Sequence, residues 1–412
     1  MLARLHVSRA SWTLVNQGVV SLGTFLVNVQ LARNLPSEDY GAFALLLGAF
    51  LALQLANSSL LLYPMSIRLP VMQGAGREQL LSATGLLVAA LCVPLSLMLA
   101  IGLELLGRPD LILPVLLAFL LWQMQEVMRR GLLAEFRYST AMIGDTVAYF
   151  GQVCAIAVLA HSGHLTLPNA LYTMATASGV GAIIQAWQLR FSPRHAADLR
   201  RTFSELFAIG SWSLANNAVS VLRIQVFLWA LAAAGGAVAA ASFLAVFTVV
   251  NLANPIILGL CNVIPQTAAH ARQSGGNSQA WRAARVYMLL GVPPIYSYYA
   301  LVLMAPSLFL NVFYGSASPY VALTLGVQIL VVAWAIGYAA DMTCSYLHGV
   351  NGARVALVIN SLGALSAVVL ALPLTQKYGL TGGCLSMLGA NLVRLVASYF
   401  ALKWVTADAC AA

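Results

Sequence analysis

Charged side chains are scarce in this chain, and their scarcity excludes a soluble globular protein. Aspartate, glutamate, lysine and arginine supply only 8% of the 412 residues, whereas a soluble domain needs about a quarter to cover its surface. Hydrophobic residues make up 61% and fall in long runs between short charged clusters. The runs 12–32 and 41–62 are each about as long as a helix needs to cross a bilayer. The sequence therefore predicts an all-α, polytopic membrane protein.

Motifs of enzymes and metal proteins are also missing. The sequence has no phosphate-binding loop with a lysine, no His-x-x-x-His pair and no Gly-x-Ser-x-Gly turn. The six cysteines form no close pair and no metal-ligand spacing. No basic stretch interleaved with aromatic residues stands outside the apolar runs, so nucleic-acid binding is not indicated. We expect neither an enzyme nor a cofactor nor a metal site.

Twelve apolar runs are candidate membrane spans. Their predicted limits are 11–32, 41–63, 81–106, 111–134, 141–160, 169–190, 206–232, 238–262, 284–305, 319–345, 352–372 and 381–404. With the connections assigned alternately to the two sides, 16 of the 21 basic residues fall on one side, 3 on the other and 2 inside spans. The positive-inside rule then places both termini in the cytoplasm. The first run is too long and too polar for a cleaved signal peptide, so we expect it to be retained.

A short internal repeat relates the first span to the seventh. The run Ser-Trp-Thr-Leu-Val-Asn at 11–16 returns as Ser-Trp-Ser-Leu-Ala-Asn at 211–216, and the windows 11–32 and 211–232 share eight identities in 22 positions. The seventh span follows the first by six spans, an even number, so both halves enter the membrane in the same direction. This is the parallel type of transporter repeat. We therefore predict two six-helix lobes related by a pseudo-two-fold axis, with a polar cleft between them.

The predicted domains are an N-terminal lobe at 1–190, a linker at 191–205 and a C-terminal lobe at 206–412. The linker is the most charged stretch of the chain. In it, Ser192 followed by Pro193 is typical of a helix N-cap with proline at the first helical position. We expect a cytoplasmic helix over the linker.

Polar side chains inside several spans follow one helix face. Such residues are costly in lipid unless they face a partner or a cavity. The two stripes in the repeated spans run through Gln17, Ser21, Thr24 and Asn28, and through Ser213, Asn216, Ser220 and Arg223. Each stripe indicates either hydrogen bonds between helices, worth about 0.6 kcal/mol per bond, or a polar cleft shared by the two helices. The recurrence in both helices favours the cleft and makes Asn28 and Asn216 candidate substrate-binding residues.

Arg223 and Arg394 are the charged residues deepest in the apolar runs of the second half. A buried arginine costs at least about 3 kcal/mol and keeps its proton, and its planar fork suits phosphate oxygens. One interpretation is a fixed ion pair with Asp341, but one carboxylate cannot neutralise two arginines. Asp341 is alternatively a titrating carboxylate that couples transport to protons or sodium. Arg33, which ends the first span, either reaches the outer headgroups or lines the outer mouth of the cleft.

The stretch 32–43 reads Ala-Arg-Asn-Leu-Pro-Ser-Glu-Asp-Tyr-Gly-Ala-Phe. It resembles the Ala-Arg-x-Leu-x-x-x-x-Tyr-Gly-x-Phe run of bacterial polysaccharide-biosynthesis flippases, which belong to the multidrug/oligosaccharidyl-lipid/polysaccharide exporter superfamily. Asn254-Pro255, Gly259 and Pro265 are a second similarity. The family often has an acidic residue late in span 7, where this chain has Gln225.

The resemblance implies flipping of an undecaprenyl-diphosphate-linked oligosaccharide across the bacterial inner membrane for surface polysaccharide biosynthesis. The expected partners are this substrate, membrane lipids, a proton or sodium counter-ion, and polymerase or export proteins. One alternative is a multidrug exporter of cations with the same fold, for which acidic cavities are expected. The other is a membrane-embedded polymerase or transferase, which would carry catalytic groups on a large outer loop. Rocking of the two lobes would move the substrate by alternating access.

Overall fold

The computed structural model of the chain describes residues 2–196, 198–350 and 352–407. Its side chains are described except those of residues 2–14, 212, 216, 274 and 404–407. Throughout these ranges the regular structure is helical. The chain divides into two compact units, Met1–Ala218 and Val219–Ala412. The prediction of an all-α polytopic protein with two helical lobes is confirmed.

Six long helices coincide with the first six predicted spans. In the described part of the first unit they are α1 (Leu2–Asn34), α2 (Ser37–Val71), α3 (Ala75–Leu105), α4 (Ile112–Ala134), α5 (Tyr138–His161) and α6 (Leu167–Leu189). Helix α4 packs against α3 and α6, and α5 packs against α1 and α6. These contacts bring polar residues of four helices together inside the unit.

The run of residues 32–43 forms the tight connection between α1 and α2. Pro36 precedes the first turn of α2, where Glu38 and Asp39 suit the positive end of the helix dipole. Tyr40 and Phe43 are fully buried, with stacked rings whose centroids lie 6.3 Å apart. The aromatic residues of this run therefore anchor the first turns of α2 in the core of the first unit.

Helix α2 contains a π-helical turn at Ser58–Leu62. The helix that begins at Leu199 passes close to this turn, because a Cβ on Gly210 would lie 2.6 Å from backbone atoms of Leu60 and Ser59. Asn217 donates a hydrogen bond to the Ser59 hydroxyl at 3.1 Å. The segment 199–218 is consequently part of the first unit, and the boundary between the units falls inside a helix.

The described part of the second unit contains six more long helices. They are α7 (199–235, whose first turns belong to the first unit), α8 (237–273), α9 (277–304), α10 (Thr324–Gly349), α11 (353–378) and α12 (380–407). Three of the connections consist of glycine, with φ of 69° at Gly236, 65° at Gly276 and 56° at Gly379. Only glycine adopts such angles without strain, so these residues reverse the chain with almost no loop.

By length and hydropathy alone, eight described helical segments are able to cross a membrane. Two of them, Ser213–Gln273 and Ala353–Lys403, each contain two of the helices above. Among the described residues the hydropathy criterion does not select the remaining long helices, α1 and α6. Both carry buried polar residues that bind a neighbouring helix, since Asn16 of α1 and Gln185 of α6 donate to Asp145 of α5.

Two sequence expectations are corrected by the structure. Residues 191–205 do not form a helix of their own: a single 3-10 turn spans Pro193–His195, and the helix that begins at Leu199 continues into α7. The Ser192 side chain does not cap that turn, and the Ser192 carbonyl instead accepts a hydrogen bond from the Ser82 hydroxyl at 2.8 Å. The connection after α9 is also longer than expected, because α10 begins at Thr324 and a short helix, Pro306–Tyr314, precedes it.

Candidate functional site

A cluster of polar side chains, hereafter the Arg394 cluster, lies among α7, α10, α11 and α12 of the second unit. Its members are Arg223, Asp341, Asn360, Asn391 and Arg394. Asn391 and Arg394 share a face of α12 because they are three residues apart. The five residues come from four helices, so the fold rather than any local motif assembles the cluster.

Two glycines make room for the cluster between the helices. A Cβ on Gly363 of α11 would collide with the aliphatic part of Arg394 and lie 3.5 Å from Cδ of Arg223. A Cβ on Gly337 of α10 would lie 3.1 Å from Nδ2 of Asn391. Glycine therefore allows α12 to approach both neighbouring helices with its long polar side chains in between.

Arg394 is 1% exposed and is held by three partners. Its Nη2 donates to Oδ1 of Asp341 at 2.5 Å and to Oδ1 of Asn360 at 3.0 Å. Its Nη1 donates to Oδ1 of Asn391 at 3.1 Å, while Nε has no hydrogen-bond partner among the described residues. The Asp341 side chain is 34% exposed, so the ion pair has a buried end and an accessible end.

Arg223 is bound much more weakly than Arg394. Among the described residues its one hydrogen bond runs from Nη1 to Oδ1 of Asn391, at 3.5 Å, and its Nε is buried without a partner there. Asn391 is fixed in turn because its Nδ2 donates to the carbonyl of Ala333 at 2.9 Å. Two guanidinium groups therefore share one amide oxygen, although like charges repel.

The cluster as a whole carries one excess positive charge. Asp341 neutralises Arg394, and within the described part of the chain no carboxylate forms an ion pair with Arg223. A partly desolvated guanidinium with unused donors is an anion-binding group, and its fork matches phosphate oxygens. The arrangement is suited to bind an anion at Arg223 while Arg394 positions Asn391.

The structure thus brings together three of the predicted site residues, Arg223, Arg394 and Asp341. Asn28 belongs to the first unit, where it is buried; its Nδ2 donates to the Thr24 carbonyl at 2.9 Å and its Oδ1 has no partner among the described residues. Arg33 is exposed in the last turn of α1. The side chain of Asn216 lies outside the described residues.

The first unit contains a buried ionic network that the sequence interpretation largely missed. The expected pair is present, since Nε of Arg130 donates to Glu126 at 2.8 Å. Arg129 also binds Glu126, and its Nε donates to Asp145 at 2.9 Å. Asp145 is fully buried and accepts further hydrogen bonds, at 2.9 Å each, from Asn16 of α1 and Gln185 of α6.

This network joins α1, α4, α5 and α6, and its two arginines balance its two carboxylates. Its charged groups are all paired with protein groups, so a structural role fits better than ligand binding, although Oε1 of Gln185 has no hydrogen-bond partner among the described residues. The signal that could have found it is Asp145 itself, an acidic residue inside the apolar run 141–160. Among the described residues, no group of three or more His, Cys, Asp or Glu side chains is placed to hold a metal ion.

Solved structures share this architecture over nearly the whole chain. The inward-facing conformation of a multidrug resistance MATE family transporter of the MOP superfamily matches with a TM-score of 0.81 at 14% identity, over 94% of this chain and 95% of that one. The outward-facing conformation of such a transporter matches with a TM-score of 0.70 at 14% identity, over 98% and 95% of the two chains. The chain has the MATE fold.

Another match with the MATE fold is a MOP superfamily transporter from Pyrococcus furiosus Vc1 (DSM3638), for which a reversed polarity of the binding pocket suggests a different function. Its TM-score is 0.71 at 14% identity, over 97% of this chain and 94% of that one. No protein-family model matches the chain, and no curated protein matches it. The MATE fold at this identity shows the architecture, and the substrate has to be argued from the site.

Proposed function

We propose that the chain is a transporter that flips a lipid-linked oligosaccharide with a diphosphate group across the membrane by alternating access. The MATE fold supports transport, because the matching structures are transporters of the MOP superfamily. The observation that carries the choice of substrate is Arg223, a cation without a carboxylate partner in the described residues, beside a neutralised Arg394. An anionic group would complete the hydrogen bonding of Arg223.

In this proposal the two arginines have different roles. Arg223 docks the diphosphate, and Arg394 holds Asn391 so that its oxygen faces the ligand site. Asp341 remains the proposed ion-coupling residue, because it is the carboxylate partner of Arg394 and its side chain is 34% exposed. Asn28, Arg33 and Asn216 remain proposed contacts for the sugar or lipid portion.

The predicted orientation, with both termini in the cytoplasm of the bacterial inner membrane, remains part of this proposal. So do the counter-ion, proton or sodium, and the polymerase or export partners of a polysaccharide pathway. These rest on the distribution of basic residues and on the resemblance of residues 32–43.

Binding of a short polyprenyl diphosphate tests the proposal. Farnesyl diphosphate should raise the thermal unfolding temperature of the purified, detergent-solubilised chain in a saturable way, and farnesol should not. Arg223→Ala should abolish this shift. Arg200→Ala, which removes an exposed arginine outside the Arg394 cluster, should preserve it. An equal shift with farnesol, or an undiminished shift in Arg223→Ala, would refute diphosphate docking.

A multidrug exporter of cations is the second candidate, and the MATE fold favours it directly, since a matching structure is a multidrug resistance transporter. The partly exposed Asp341 is the group that a cation would approach. This candidate expects efflux of a cationic dye from cells that produce the chain, with loss of efflux in Asp341→Asn and no effect of Arg223→Ala. The polymerase or transferase alternative has less support, because the connection after α9 consists of two short helices, Pro306–Tyr314 and Pro319–Ala322, and the few residues around them.

A further inference from the structure

A cavity of about 850 Å³ opens at one end of the first unit, and no step of the proposed transport uses it. Its lining residues are Arg77, Arg137, Ala186, Trp187, Gln188, Leu189, Arg190 and Phe191. They come from the start of α3, the start of α5 and the end of α6, which lie at the end predicted to be cytoplasmic. The volume is within the range of small-molecule sites.

The cavity is basic. Glu135 binds both Arg77 and Arg137, whereas Arg190 is exposed and forms no ion pair with any described residue. Three guanidinium groups against one carboxylate leave an excess of two positive charges. This combination is suited to a phosphate group, which Arg190 can bind with both arms of its fork.

Two residues at the cavity have left-handed backbone conformations, and these conformations position Arg190 and Arg137. Arg190, at the end of α6, adopts the left-handed conformation with φ 54° and ψ 39°. Phe136, next to Arg137, does so with φ 59°. Glycine would adopt both conformations at lower cost, so an arginine at the end of α6 points to a function for its side chain.

The turn after Arg190 is anchored to α3, which fixes the cavity wall. The ring of Phe191 lies against Gly85, where a Cβ would be 3.0 Å from its Cζ, and the Ser82 hydroxyl donates to the carbonyl of Ser192 at 2.8 Å. His195 lies 3.3 Å from Glu78 through its Nδ1. The site is therefore preformed rather than a loose group of surface arginines.

Trp187 and Gln188 indicate what kind of phosphate compound fits. Trp187 is 81% exposed beside the arginines, and tryptophan in such a position is typical of the level of lipid headgroups. Oε1 of Gln188 is buried with no partner among the described residues, so it needs a donor from a ligand. A phosphodiester that carries hydroxyl groups and is attached to an acyl chain supplies an anion for the arginines, a donor for Gln188 and an apolar chain beside Trp187.

We propose that this cavity binds the headgroup of an anionic phospholipid, phosphatidylglycerol, from the adjacent leaflet. The phosphodiester is bound by Arg190 with Arg77 and Arg137, a glycerol hydroxyl donates to Gln188, and the acyl chains pass along Trp187 into the bilayer. Basic pockets between helices at the cytoplasmic face are a recognised form of lipid site. This site lies in the first unit and does not depend on the function proposed for Arg223 in the second.

Native mass spectrometry of the detergent-solubilised full chain with phosphatidylglycerol or phosphatidylcholine tests the site. The wild type should retain phosphatidylglycerol in preference to phosphatidylcholine. Arg190→Gly removes the guanidinium and relieves the left-handed turn, so it should fold while binding phosphatidylglycerol about tenfold more weakly, a change of about 1.4 kcal/mol. Arg200→Gln, with the same loss of charge outside the cavity, should bind like the wild type.

If Arg190→Gly retained as much phosphatidylglycerol as the wild type, the site would be overturned. It would also be overturned if Arg200→Gln lost as much lipid as Arg190→Gly, because net charge alone would then attract the lipid. Displacement of phosphatidylglycerol by inorganic phosphate at the same concentration would overturn the lipid as occupant. As a second readout, phosphatidylglycerol with brominated acyl chains should quench the fluorescence of the wild type more than that of Trp187→Phe. No difference between them would contradict the placement of the chains.

Discussion

The two deeply placed arginines of the second half differ in their environment, and this difference governs their predicted roles. Arg394 has an acidic partner and two amide oxygens around it, whereas Arg223 has one long hydrogen bond. The sequence predicted both as buried cations and offered Asp341 as the partner of one. Which arginine it binds depends on how α10 and α12 are rotated against each other, and no sequence pattern determines that rotation.

Arg394→Ala should destabilise the chain far more than Arg223→Ala. Loss of Arg394 leaves the partly exposed Asp341 and two amide oxygens without their cation, and groups left unpaired in this way cost about 1–3 kcal/mol. Loss of Arg223 removes a cation that repels Arg394, so the unfolding temperature should stay level or rise. Thermal unfolding of both variants in detergent measures this order, and the opposite order would contradict the assignment of roles.

The buried network of the first unit makes a second prediction at the residue scale. Asp145→Asn removes the charge that binds Arg129 and two further hydrogen-bond donors, Asn16 and Gln185, and we expect a loss of about 3 kcal/mol in the free energy of unfolding. Asp110→Asn is the matched control, because Asp110 is exposed and pairs only with Arg108 in a connection. Similar stability of the two variants in chemical unfolding would mean that the network is not structural.

At the scale of helices, two features define the fold: close contacts between helix backbones, and turns of the chain at single glycine residues. Each predicted span coincides with one of the long helices, because apolar length is a strong signal. Seven of the twelve helices nevertheless extend six or more residues beyond the predicted limit at one end, as α8 does by continuing to residue 273.

The turns at Gly236, Gly276 and Gly379 fall in gaps between predicted spans, but the structure needs almost no loop there, so the helices fill most of each gap. Serine followed by proline at 192–193 predicts a separate helix over the linker. In the structure the helix begins only at Leu199 and is continuous with α7.

Gly210→Ala should destabilise the first unit. The added Cβ would lie 2.6 Å from backbone atoms of Leu60 and Ser59, and backbone cannot move aside as a side chain can. Overpacking of this kind costs about 1–3 kcal/mol. Gly18→Ala in α1 is the control, since open space surrounds its Cβ and alanine favours the helix. If both variants unfold at the wild-type temperature, α7 does not pack on the π-helical turn as described.

The contact between the end of α2 and the start of α7 predicts a dependence on pH. Glu205 accepts hydrogen bonds from Arg68 at 2.6 Å and Arg201 at 2.9 Å, which lower the pKa of its carboxyl from the usual range. A carboxyl with a lowered pKa in the folded state stabilises the fold above its unfolded pKa, near 4.3, and loses this contribution as the pH falls through the folded value.

Glu205→Gln should therefore lower the unfolding temperature at neutral pH and converge with the wild type as the pH falls through and below 4. Thermal unfolding from pH 7 to pH 3.5 measures the difference. A constant difference over this range would show that the charge of Glu205 is not responsible.

For the whole molecule, composition alone predicted a polytopic helical protein, and the repeat at 11–16 and 211–216 predicted two halves of six helices. The basic residues at the predicted cytoplasmic end include Arg77, Arg137 and Arg190, and the structure gathers these into a cavity. That gathering was not predictable, because the three lie in separate connections. The substrate is not determined by the MATE fold either, since it depends on the few charges inside the second unit.

Transport by the purified chain in proteoliposomes tests the central claim most directly. We predict that the wild type flips an undecaprenyl-diphosphate-linked oligosaccharide, that Arg223→Ala reduces the rate at least about tenfold, consistent with the loss of a charge-assisted hydrogen bond, and that Arg200→Ala does not. Movement of a cationic dye by the wild type and by Arg223→Ala at the same rate, without movement of the lipid-linked sugar, would contradict the account.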